Sequence, residues 1–111
     1  MKESIRHKLE STRDRFEEIA GLLAEPEVIG DQNRFRDLSR EYARLERIVG
    51  LFRAYEKLDA ETASAGEMAR DSDAGIRQLG EEELATLTTR RQELELDLQT
   101  ALIPPDPHDD R

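Results

Sequence analysis

The chain has 111 residues, 36% hydrophobic and 39% charged, with a formal net charge of −9 and no cysteine. That length fits one small domain, and the missing cysteines exclude both a disulfide framework and a thiolate metal site. No apolar run approaches the ~20 residues needed to span a bilayer, and the mixed-charge start Met1-Lys2-Glu3-Ser4-Ile5-Arg6 lacks the apolar stretch of a signal peptide, so the expected location is cytoplasmic.

Aromatic residues make up only 5% of this charged chain, a composition that raises the question of disorder. The apolar residues answer it. There are 14 Leu and 6 Ile against 2 Val, a choice that favours helices over strands, and they recur at helical spacing.

The first predicted helix runs from about Lys2 to Ala24. Ile5, Leu9, Thr12, Phe16, Ile19 and Leu23 alternate four- and three-residue steps, the seam of a helix packed nearly antiparallel to a neighbour. Glu25-Pro26 stops it, because the residue before a proline is pushed out of the helical region. Gly30 and Asp31 then supply a turn and an N-cap.

A long second helix follows, from about Gln32 to Arg70. In its first half Phe35, Leu38, Tyr42, Leu45, Val49 and Phe52 line one side. From Ile48 onward Leu51, Tyr55, Leu58, Thr62, Ala65 and Ala69 line a side turned by roughly 120–150°. Two successive apolar faces on one helix call for two packing partners. Asp71-Ser72-Asp73 offers a turn and caps, and a short helical turn is expected around Ile76 and Leu79, with Gly80 as a joint. Glu81, Glu82 and Glu83 then open a last helix, where carboxylates suit the positive end of the dipole. Leu84, Leu87, Leu94, Leu98 and Leu102 form its seam, with Arg91 as the polar intruder. Ile103-Pro104-Pro105-Asp106-Pro107 ends it and reads as an extended linker. The expected fold is all-α, an elongated antiparallel helical bundle of three long helices plus a short helical turn, with a helical domain over 1–103 and a Pro/Asp-rich linker over 104–111 leading to further domains.

Little in this pattern suggests catalysis. His7, Ser11 and Asp14 share one face of the first helix, but a single convex helix face has neither pocket nor oxyanion donors, so three solvated residues are the better reading. The only other histidine is His108, and no Glu-x-x-His pair supports a carboxylate-bridged metal bundle. Glu81-Glu82-Glu83 is better explained as a charge run than as a metal site. All six glycines are isolated, so no phosphate-cradling loop can be built from them. The expectation is a binding domain, not an enzyme, with no cofactor and no metal.

The acidity sits late in the chain: residues 71–111 carry four Lys/Arg against eleven Asp/Glu. That excess argues against general nucleic-acid affinity, DNA included, and favours protein partners. One basic feature has structure. Arg36, Arg40, Arg44 and Arg47 fall within about 80° of one another on the second helix, opposite its first apolar face. They form either a docking surface for an acidic protein or RNA phosphates, or one side of an internal pairing with the returning helix, where Glu93, Glu95 and Asp97 stand.

Met1-Lys2-Glu3-Ser4-Ile5, the segment Glu25-Pro26-Glu27-Val28-Ile29 and above all Phe35-Arg36-Asp37-Leu38-Ser39-Arg40-Glu41-Tyr42-Ala43 resemble the N-terminal domain of bacterial peptide chain release factor 1. Leu102-Ile103-Pro104-Pro105-Asp106-Pro107-His108-Asp109-Asp110 looks like that family's exit from the domain, usually Leu-Leu-Pro-Lys-Asp-Pro. The resemblance spans nearly the whole chain. It implies a fragment of a translation termination factor of the type reading UAA and UAG. The family's Gly-Gly-Gln hydrolysis motif and Pro-x-Thr codon reader do not occur here. The implied partners are therefore the ribosome, at the stalk base of the large subunit, and the methyltransferase that modifies the glutamine of the hydrolysis motif. Pro105 in place of Lys, Gly75 and Gly80 in place of helix formers, and Arg47-Ile48 near an expected proline depart from the pattern. A different class also fits the residues: a free-standing helical adaptor or coiled-coil scaffold that needs no ribosome. Oligomeric state is left open.

Overall fold

The computed structural model describes residues 2–103. The chain is all-α: α1 (Glu3–Leu22), α2 (Pro26–Ile29), α3 (Gln32–Met68) and α4 (Ala74–Leu102), with no strand among the described residues. The expected linker over 104–111, and His108 with it, lies outside the described residues. Two compact units meet within α3, one reaching Gly50 and the other beginning at Leu51.

The first unit follows from its apolar spacing. On α1, Leu9, Phe16 and Ile19 are buried, while the other seam positions Ile5, Thr12 and Leu23 are half-buried. Phe16 and Ile19 join Val28 of α2 and Leu38, Leu45 and Val49 of α3 in one cluster, flanked by Leu22, Leu23, Tyr42 and Ile48. Each such side chain removed from water stabilises by roughly 1.5–3 kcal/mol. α1 ends at Leu22, short of the expected stop at Glu25-Pro26, and Pro26 begins α2. Glu25 takes the extended conformation forced on a residue before proline, and the fixed φ of proline suits the first helical position. The short helix therefore lies at Pro26–Ile29, just ahead of the turn expected at Gly30 and Asp31, rather than around Ile76 and Leu79, and it delivers Val28 fully buried into the core. Asp31 caps α3: its Oδ1 accepts the Arg34 backbone N–H at 3.1 Å. Phe35, expected in the seam, is 39% exposed.

The second unit is the later part of α3 and α4. Phe52, Tyr55, Leu58 and Ala65 are buried on the first element, and Leu87, Leu94 and Leu98 on the second. Contacts between them set direction: Ala69 lies against Gly80, Asp59 against Arg91 and Tyr55 against Glu95. As the number falls on α3 it rises on α4, so the two run antiparallel. The turn between them is held by aspartates, as the sequence suggests. Asp71 Oδ1 accepts the Asp73 N–H at 2.8 Å, and Asp73 Oδ1 caps α4 by accepting the Gly75 and Ile76 N–H groups at 2.8 and 3.3 Å.

The start of α4 corrects the sequence reading in two ways. No separate turn exists around Ile76 and Leu79, because α4 runs unbroken from Ala74 through Gly80. Gly80 is not a joint but a buried contact: a Cβ there would lie 2.7 Å from the Met68 carbonyl carbon and 2.8 Å from its Cβ. Glycine costs a helix interior only about 1 kcal/mol relative to Ala, which close helix packing outweighs. Glu81, Glu82 and Glu83 consequently sit two turns inside α4, all exposed, and the helix start is served by Asp73 instead.

Candidate functional site

The arginines singled out from spacing lie along the first part of α3, and Arg36, Arg40, Arg44 and Arg47 are all exposed there. The helix turns their opposite side, Leu38, Leu45 and Val49, into the core, so a rigid, packed element presents them. Arg36 has its Nε 3.8 Å from Asp37 Oδ1, both side chains more than half exposed. An ion pair of that kind contributes little to folding. Of the carboxylates considered as their partners, Glu95 is engaged inside the second unit, and Glu93 and Asp97 are exposed.

Two polar constellations escaped the sequence reading. In the first, Arg15 of α1 reaches across to Glu41 of α3. Its Nε donates to Oε2 at 2.8 Å and its Nη2 to Oε1 at 2.9 Å, a two-pronged clamp, while Nη1 donates to Glu18 on α1. The paired hydrogen bonds from Arg15 hold the Glu41 carboxyl below the usual carboxylate range, with Arg44 adding a smaller attraction. Beside the clamp Phe16 and Tyr42 stack with ring centroids 4.4 Å apart at 21°. The stretch Phe35–Ala43 thus spends Leu38, Glu41 and Tyr42 on the joint with α1 and leaves Arg36 and Arg40 outward.

In the second constellation Arg91, the polar intruder of the α4 seam, lies over the Tyr55 ring, 5.2 Å from its centroid. Its Nε donates to the Tyr55 hydroxyl at 2.9 Å, and that hydroxyl donates to Glu95 Oε1 at 2.9 Å. Arg91 Nη2 also lies 3.3 Å from Asp59 Oδ1. Burial pushes the Tyr55 hydroxyl pKa up, and the hydrogen bond from that hydroxyl holds Glu95 down. Tyr55 is fully buried, so its hydroxyl needs these partners. A signal was available in sequence: one arginine in a leucine seam demands an acceptor across the helix pair.

Both constellations are satisfied pairings that tie helix to helix. No buried side-chain polar atom lacks a partner, and no cluster of three or more His, Asp or Glu could hold a metal ion, among the described residues. His7, Ser11 and Asp14 are exposed along α1. No described helix is long and apolar enough to cross a membrane. The exposed arginines present positive charge on the surface of α3. Comparison with known proteins adds one match, to a family model described as the PCRF domain, over residues 12–111. No solved structure matches the chain.

Proposed function

The chain belongs to the PCRF domain family, the N-terminal domain of class I release factors acting in translation termination, and from that membership we propose that it serves the factor as a binding domain rather than as its hydrolytic part. Within this reading the factor is of the type that reads UAA and UAG. The domain bears on the stalk base of the large ribosomal subunit and on the methyltransferase that modifies the factor's glutamine. It takes no cofactor and acts in the cytoplasm.

The observation that carries the reading is the family match over residues 12–111 in a chain lacking Gly-Gly-Gln and Pro-x-Thr. Exposed Arg36, Arg40, Arg44 and Arg47 on a rigid helix supply a docking surface for an acidic protein face or for RNA phosphate. Termination complexes stalled on a stop codon test it. Added alone, the chain is expected to release no peptide. Added in excess, it is expected to slow release by an intact factor. Stop-dependent release by the chain itself would place hydrolysis here and end the reading.

A further inference from the structure

In the second unit α3 and α4 leave an open groove of about 370 Å³. Lys57, Ala60, Glu61, Ser64 and Met68 line it from α3 at helical spacing, Ala65 supplies its buried floor, and Glu83 faces it from α4. The small side chains of Ala60, Ser64 and Ala65 are what make it a trough. On α4, Ile76 and Leu79 share the side of Glu83 and are 39% and 57% exposed, while Met68 is 37% exposed. Gly80 brings the α4 backbone against Met68, which lines one end of the trough.

We propose that this groove docks an amphipathic helix of a protein partner, with its apolar stripe in the trough and Lys or Arg along its flanks. Three observations select that occupant. From Lys57 to Met68 the trough runs roughly 16 Å, about three helical turns, and small residues along one wall let a helix backbone come close, as in helix-in-groove recognition. The rim holds Glu61 and Glu83 against Lys57, and residues 51–103 carry twelve Asp/Glu against six Lys/Arg, so a cationic flank is complementary. Two such grooves face to face would bring like charges together, and nucleic acid would meet the wrong sign. The inference goes beyond the role in termination, since it assigns a partner to residues that the arginine stripe does not include.

The test uses the full 111-residue chain and, as probe, a helical peptide of roughly 15 residues with one leucine stripe and lysine elsewhere. Nuclear magnetic resonance titration is expected to show saturable shifts at Ala60, Glu61, Ser64, Met68 and Glu83 that weaken with salt. Ser64→Trp, filling the trough from an exposed position, and separately the pair Glu61→Lys with Glu83→Lys, are each expected to weaken binding by about tenfold or more. A peptide with glutamate for each lysine is expected to lose at least as much. Shifts outside the groove, indifference to both sets of substitutions, equal binding of the acidic peptide, or a chain dimer that Ser64→Trp dissolves would each overturn the proposal. Ribosomes do not enter the measurement, so its failure and that of the termination reading are separable.

Discussion

Gly80 and Gly66 are both glycines inside long helices, and their surroundings give them opposite expected behaviour. A Cβ at Gly80 would press on the backbone of Met68, whereas at Gly66 it would meet nothing within 4 Å. Gly80→Ala is expected to destabilise by about 1–3 kcal/mol, the usual cost of overpacking, despite the better helix propensity of alanine. Gly66→Ala is expected to stabilise by up to ~1 kcal/mol. Thermal melts followed by circular dichroism check both, and a Gly80→Ala chain melting no earlier would mean the helices part at no cost. Glu41 supplies a second residue-scale expectation. Its folded pKa is depressed by the Arg15 clamp, so the stability it contributes is present above the ordinary carboxylate pKa and is lost as pH falls through the lower, folded value. Glu41→Gln is therefore expected to lower the Tm at neutral pH, with the gap closing as pH drops below about 4. A gap that stays constant with pH would show that the clamp's charge contributes nothing.

At the scale of elements, what starts and stops each helix is legible in most places. Asp31 and Asp73 cap as their positions suggest, while α1 already ends at Leu22, ahead of Pro26, which instead starts α2. The exception is α4, which starts at Ala74 rather than at the charge run. Glutamates favour a helix N-terminus, but they are equally at home on an exposed helix face, and Glu81, Glu82 and Glu83 occupy such a face. Asp73 accepts two backbone N–H groups that would otherwise be orphaned. Asp73→Ala is accordingly expected to cost about 1 kcal/mol, seen as a lower Tm and faster amide exchange at Gly75 and Ile76. Unchanged exchange there would return the helix start to the glutamates.

For the whole molecule, the net charge of −9 makes an exposed arginine stripe conspicuous. Changing Arg40 and Arg44 to Glu separates two uses of it. As a docking surface, the stripe should lose ribosome or partner binding with the melting temperature nearly unchanged, because exposed charges contribute typically ~0–1 kcal/mol per pair. That binding should also weaken with salt, screened over roughly 8–10 Å. As one half of an internal pairing with acidic residues, the same double change should lower stability, and added salt should partly restore it. All four arginines are exposed, which either use allows. A double variant that neither melts earlier nor binds less would leave an ordinary solvated face.

By itself the sequence determined the all-α class, the two long seams, the change of apolar series along α3 and the capping aspartates. Each is written in local spacing: Leu38, Leu45 and Val49 are buried in one half of α3, and Tyr55, Leu58 and Ala65 in the other. The segment Phe35–Ala43 and the tail also carried the family resemblance, which the match over residues 12–111 supports at the level of the family. Only the tertiary structure decided the clamp of Arg15 on Glu41, 26 residues apart, and the stacking of Arg91 on Tyr55, 36 apart. It also decided that Gly80 is a packing contact rather than a break. Periodicity reports which side of a helix is apolar, but not the register at which two helices meet. Which arginine finds which carboxylate, and which glycine lies under a neighbouring backbone, is set by that register.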